Sequence, residues 1–269
     1  MKQTALITGA SSGIGYALAK CFAHAGYDLV LIARNQTALF ALAKECQAHA
    51  VSVSVIVKDL TDSQAAQQIY QTLEDQKIIV DILVNNAGMG LWGAFNETAV
   101  DDEEQLIALN ILAVIRLTKL FIPAMIKRRS GKILNVGSVY SYTPVPYQST
   151  YGASKAFLLS FSAAIRNELK DYGITVTILC PGITTQTHFR TRLGNTKEKS
   201  YLSLTAEQVA LAGYQGLLKN KAVVIPGFVN TFYVNIMRFM PAKLVAWAVY
   251  VFRGLKIPKN ASKAQYGRK

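Results

Sequence analysis

Acidic residues stop at Glu207. Ten Lys and Arg lie beyond that point, leaving the first 207 residues with 19 basic side chains against 16 acidic. The net charge of +13 is therefore mostly a property of the C-terminal part of the chain. Those bases are interleaved with apolar and aromatic residues, which does not fit a nucleic-acid stripe. Cysteine is scarce: Cys21, Cys46 and Cys180 are widely spaced, which excludes a disulfide framework and fits a reducing compartment. His24, His49 and His188 form no ligand spacing, so no metal site is expected. Charged residues make up only 17% and apolar residues 51%, as in a chain with a large buried core. A strand begins almost at the first residue, leaving no room for a signal peptide. The expectation is a cytoplasmic protein. No internal repeat and no dividing linker is present.

Alternating strand and helix signals fill the first 227 residues. Gln3–Thr8 reads as a buried strand, followed by Gly9-Ala10-Ser11-Ser12-Gly13-Ile14-Gly15 opening a helix to about Ala25. Glycines at these places allow a tight turn and close backbone approach to a pyrophosphate. The helix N-terminus offers free N–H groups to phosphates. A second strand, Asp28–Ala33, ends in Arg34-Asn35, with no Asp or Glu in 33–36. An acid there would take a free ribose 2′-hydroxyl, whereas Arg34 suits a 2′-phosphate. The reading is NADP(H), with NAD(H) open and a solvated strand-end arginine as the plain alternative. Helix 36–48, strand 51–57 and helix 62–76 follow. Asp59 is placed either to reach an adenine edge or to cap the turn with Thr61. Strand 79–84 runs into Asn85-Asn86-Ala87-Gly88, suited to bracing a backbone beside a ligand.

A long helix is expected over about 99–126, with Asn110 inside an apolar stretch. A buried amide needs partners. It is either a satisfied core group or a relay, through a water, toward Lys155. Strand 132–136 leads to Ser138. Helix 151–170 carries Tyr151 and Lys155, which share one face at i and i+4. A phenol titrates near ~10, and a cation held beside it lowers that value. Tyr151 is thus a candidate general acid/base, with Ser138 holding a substrate oxygen. Strand 174–180 ends at Pro181-Gly182. Residues 183–203 read as a loop over a ligand, followed by helix 205–219 and strand 222–225. Substrate candidates are Met89, Leu91, Trp92, Tyr140, Tyr142, Pro144 and Tyr147. They include no cation, which argues against a small anionic substrate unless Arg190 and Arg192 intervene.

Residues 228–257 form an apolar, basic helical extension, with a second short helix starting at Pro241. It is too interrupted to span a bilayer, which needs ~20 apolar residues. Lid, oligomer contact and membrane-surface contact all remain, with lid or packing favoured. Residues 258–269 read as a frayed tail.

The ordered set Thr8-Gly9-x3-Gly13-Ile14-Gly15, Asn85-Asn86-Ala87-Gly88, Asn110, Ser138, Tyr151-x3-Lys155 and Pro181-Gly182 resembles the short-chain dehydrogenase/reductase family over residues 4 to about 226. The resemblance implies a Rossmann-type, doubly wound seven-stranded parallel sheet, order 3-2-1-4-5-6-7, with helices on both faces. It implies an Asn110–Ser138–Tyr151–Lys155 tetrad. In it Tyr151 exchanges a proton with the substrate oxygen, and Lys155 lowers its pKa and bonds the nicotinamide ribose. Members carry a Thr five residues after the proline of Pro-Gly. Here Gln186 stands there, and Thr187 is the expected substitute. The extended C-terminus is similar to that of members acting on lipophilic carbonyl compounds. The implied function is an NADP(H)-dependent carbonyl reductase, or the reverse alcohol oxidation, in a homodimer or homotetramer. An NAD-linked alcohol dehydrogenase and a non-catalytic dinucleotide-binding regulator are the alternatives.

Overall fold

The computed structural model describes residues 2–185 and 203–254, except for the side chains of 252–254. Seven strands form one sheet in the order β3-β2-β1-β4-β5-β6-β7, and every pairing is parallel. The strands are β1 (Thr4–Thr8), β2 (Asp28–Ala33), β3 (Val53–Val57), β4 (Ile82–Asn85), β5 (Gly131–Val136), β6 (Ile174–Leu179) and β7 (Val223–Val224). All five residues of β1 are buried. That is the cost and the signature of a parallel strand covered on both faces, and it explains the continuous apolar run.

Alternate residues point to opposite faces. Ala5 and Ile7 enter one core with Leu29 and Leu31, beneath α1 (Gly13–His24), α2 (Gln36–Gln47) and α7 (Ala206–Leu218). Leu6 enters the other with Val30 and Ile32, beneath α3 (Ala65–Asp75), α5 (Ala113–Arg128) and α6 (Ser149–Leu169). The helix expected at 99–126 is not uniform. It comprises α4 (Val100–Ile107), a π turn at Ala108–Leu112, and α5. The run Val100–Arg128 is long and apolar enough to cross a membrane by composition. Here, however, Leu117, Phe121 and Met125 pack into the sheet core.

Strand order reverses between β1 and β4, since β1 pairs with both β2 and β4 while the chain returns through β3. Crevices at such switch points, outside the strands' carboxyl ends, are where doubly wound sheets bind ligands. The last described helices are α8 (Phe228–Phe239) and α9 (Ala242–Gly254), the latter starting after Pro241 as expected. The tail 258–269 lies outside the described residues.

Candidate active site

The β1–α1 turn is built for close approach. Gly9 has φ +66°, and a Cβ there would sit 2.9 Å from the Ala87 backbone. A Cβ on Gly15 would collide with the Gly9 carbonyl and the Asn86 amide. The Asn86 side chain donates to the Thr8 carbonyl at 2.8 Å, and the Thr8 hydroxyl accepts from the Asn86 and Ala87 N–H groups. These bonds tie the end of β4 to the glycine turn. Ser12 precedes α1 without capping it, and the first turn holds no acid. The N–H groups that open α1, next to Ser11, Ser12, Gly13 and Ile14, therefore lack a side-chain anion of their own. This geometry fits a dinucleotide's phosphates.

Arg34 and Asp59 are together. The guanidinium lies 3.4 Å from the Asp59 carboxylate, and both side chains are about half exposed. Asp59 also accepts from the Thr61 N–H and hydroxyl at 3.0 and 2.9 Å, the capping role anticipated as one of its two options. Burial acts to raise its carboxyl and the Thr61 and Arg34 contacts outweigh it, leaving it below the usual range.

Tyr151 and Lys155 are both buried on α6, as are Asn110 and Ser138 on their own elements. Ser138 opens a short 3₁₀ turn (Val139–Tyr142), with its hydroxyl accepting from the Tyr140 N–H. The same hydroxyl is hydrogen-bonded to the Tyr151 phenol. Lys155 Nζ donates to the Val136 carbonyl at 2.9 Å and stands 5.7 Å from the centre of the Tyr151 ring.

One expectation is overturned. The ammonium was expected to lower the phenol's pKa. In this structure burial raises it strongly, and the Ser138 bond offsets this only in part. Burial also brings Lys155 down to about 8. Desolvation penalises whichever form is charged, so both groups are pushed toward neutrality. The ammonium also donates to the Val136 carbonyl.

Asn110 sits in the π turn with its amide engaged. It accepts from the Met89 N–H at 2.9 Å and donates to the Met89 carbonyl and to the Ser154 hydroxyl at 2.9 and 3.0 Å. The satisfied-amide reading holds, yet what it holds is the Met89 segment that follows Gly88. A Cβ on Gly88 would lie 3.2 Å from Asn110 Oδ1 and 3.5 Å from Lys155 Nζ. Ser154 was not anticipated. Its hydroxyl donates to the Tyr151 carbonyl at 2.7 Å and links Asn110 to α6.

On the substrate side, Met89, Leu91 and Tyr140 pack around Tyr151. Tyr140 meets it edge-on at 6.4 Å. Trp92 is half-buried in the same loop. A cavity of about 10 Å³ touches Tyr151 and Tyr147. An open groove of about 900 Å³ lies beside it, lined by Tyr142, Pro144, Tyr147, Gly152 and Tyr250 but not by Tyr151.

Two contacts from the C-terminal helices flank the substrate side. Arg238 of α8 lies 4.7 Å from the centre of the Tyr142 ring. Tyr250 of α9 stacks on Tyr147 at 5.8 Å. A separation of more than ninety residues hid both contacts from pattern reading. Cys180, just before Pro181 and Gly182, is buried against Tyr142 and Ser141 and raised to about 11 by desolvation. Gln186, Thr187, Arg190 and Arg192 lie outside the described residues.

Fold and site together place the chain in the class of NAD(P)-dependent oxidoreductases acting on CH–OH and C=O groups. It belongs to the short-chain dehydrogenase/reductase family, whose model, described as short chain dehydrogenase, matches residues 3–198. A ketoacyl reductase, HetN of Nostoc, is 32% identical over 185 residues, which span 69% of this chain and 64% of that protein. A short-chain dehydrogenase from Sphingobium yanoikuyae, solved with NADPH, is 32% identical with a TM-score of 0.79 and covers 99% of this chain and 100% of its own. A bulky-bulky ketone specific alcohol dehydrogenase from Comamonas testosteroni is 29% identical, with a TM-score of 0.75 and 99% coverage of both chains.

Proposed function

We propose that this chain reduces the carbonyl of a lipophilic small molecule with NADP(H), or oxidises the corresponding alcohol, with Tyr151 as general acid/base. The observation that carries the reading is the Tyr151 phenol. It is buried, bonded to Ser138 and one helical turn from Lys155, whose Nζ lies beside Gly88 at the switch point.

A nicotinamide bound in the crevice supplies the hydride for reduction or accepts it for oxidation. Gly9, Ser11, Ser12, Gly13, Ile14 and Gly15 would hold its phosphates, with Asn86, Ala87, Gly88, Pro181 and Gly182 forming the wall beside it and Lys155 near its ribose. Ser138 Oγ shares the substrate oxygen with the Tyr151 hydroxyl. Burial keeps the phenol protonated at neutral pH, which suits donation to a carbonyl being reduced. Lys155 then offers its positive charge to the phenolate left behind. Asn110 fixes the Met89 segment, and Ser154 fixes α6 against it.

Arg34 is the proposed reader of a 2′-phosphate. Its pairing with Asp59 is exposed and worth only ~0–1 kcal/mol, so a phosphate can recruit it at small cost. The NADPH complex of the Sphingobium relative is consistent with that preference. Met89, Trp92, Tyr140 and Tyr147 offer an apolar and aromatic surface to the substrate, in keeping with the bulky ketones named for the Comamonas relative. Three free thiols fit a cytoplasmic setting.

The test is a cofactor-oxidation screen over ketones, aldehydes and acyl-chain carbonyls, with NADPH and NADH side by side. Turnover of apolar ketones with NADPH is expected. Turnover only with NADH would favour the NAD-linked alcohol dehydrogenase, and dinucleotide binding without turnover would favour a regulator.

A further inference from the structure

The last two described helices do not behave as core. In α8 one side chain, Val234, is buried, while Phe228 is 85%, Phe232 58% and Phe239 90% exposed. In α9 Val245 is buried, while Leu244 is 54% and Trp247 65% exposed. On α8 the exposed residues 228, 232, 236 and 239 follow the spacing of a single helical face. Residues 244, 247 and 251 do the same on α9. Large apolar side chains grouped on the outside of a protein mark a surface that something covers.

Charge decides what that is. Arg238 and Lys243 lie between the apolar positions, and Lys256, Lys259, Lys263, Arg268 and Lys269 follow α9 in the sequence. Nothing after Glu207 is acidic. A two-fold contact with a second copy would set this positive segment against itself, because such an interface uses the same patch twice. An anionic lipid surface instead offers negative headgroups for the bases and hydrocarbon for the aromatics. At 12 and 13 residues, neither helix has the ~20 needed to span a bilayer.

We propose that α8 and α9 dock the protein on anionic membrane surfaces, lying in the interface with Phe228, Phe232, Phe239 and Trp247 inserted and the neighbouring bases on the headgroups. The same helices border the groove through Arg238 on Tyr142 and Tyr250 on Tyr147. Docking therefore brings the rim of that groove to the lipid, where apolar molecules concentrate. The docking itself does not depend on the reaction assignment.

The test is co-sedimentation of the full chain with vesicles of phosphatidylcholine alone, or of phosphatidylcholine mixed with phosphatidylserine. The comparison is the triple variant Phe228→Ser, Phe239→Ser, Trp247→Ser, whose positions are exposed enough to leave the fold intact. Circular dichroism checks that fold, and light scattering gives the oligomer size. The wild type is expected to pellet with the mixed vesicles and not with the neutral ones. Salt of about 0.5 M should weaken that binding. The triple variant should lose roughly tenfold or more in partitioning, from the removed apolar burial. No pelleting of the wild type with mixed vesicles at low salt would overturn the proposal. So would unchanged pelleting of the triple variant. If the triple variant instead reduces the oligomer size and leaves vesicle binding alone, the face belongs to a second copy.

Discussion

Lys155 is an ammonium with a carbonyl for company. Burial holds it down to about 8, against 10.5 in an unfolded chain. Between those values the unfolded state binds more protons, so its contribution to stability rises with pH across that window and is at its worst below about 8. Urea melts of wild type and Lys155→Met from pH 7 to 10 should show the wild type gaining on the variant as pH rises; parallel curves would place Lys155 in water. Arg34 gives a second prediction at this scale. Arg34→Asp puts a carboxylate beside Asp59 and should lower the NADPH-to-NADH ratio of kcat/KM by roughly tenfold or more. An unchanged ratio would assign phosphate recognition elsewhere. Both residues were legible in the sequence, but their neighbours were not. The pairing of Arg34 with Asp59 joins the ends of two strands. The contact of the Lys155 Nζ with the Val136 carbonyl depends on where that side chain points, which spacing alone does not fix.

At the scale of elements, the π turn at Ala108–Leu112 holds the Met89 segment through a single side chain. Asn110→Leu should leave both polar groups of Met89 unpaired, costing ~1–3 kcal/mol of stability. It should also lower kcat more than it raises KM, as Met89 and Tyr151 lose their mutual placement. Asn110→Ser, keeping a polar group, should recover part of the stability. Equal kinetics in all three proteins would reduce Asn110 to core packing. The strands and helices themselves could be read from apolar runs, glycines and the Tyr–Lys helix, because parallel strands announce themselves by continuous burial. The interruption at Asn110 could not, since a poor helix former in mid-helix fits a π turn and an ordinary buried amide equally well. The outward face of α8 and α9 was masked in the same way. Their composition suits packing, and only the fold shows that most of their large apolar side chains are exposed.

At the scale of the whole molecule, the sheet order followed from the family resemblance carried by the ordered motifs, and the sheet has that order. Contact between copies is a separate question. We propose that α5 and α6 carry it, as α6 turns Ala153, Ala156, Ala163 and Ala164 outward, small residues that allow close approach. Ala163→Arg should then shift the protein to a smaller species in light scattering, with its melting temperature nearly kept at high concentration. An unchanged mass would move the contact to another face.

The account rests most heavily on the Tyr151 hydroxyl as the proton carrier. Tyr151→Phe removes that oxygen and little else from a packed site, so NADPH affinity should stay within about twofold while single-turnover hydride transfer falls by roughly 10²–10⁴-fold. Hydride transfer at the wild-type rate in Tyr151→Phe, with the cofactor still bound, would contradict it.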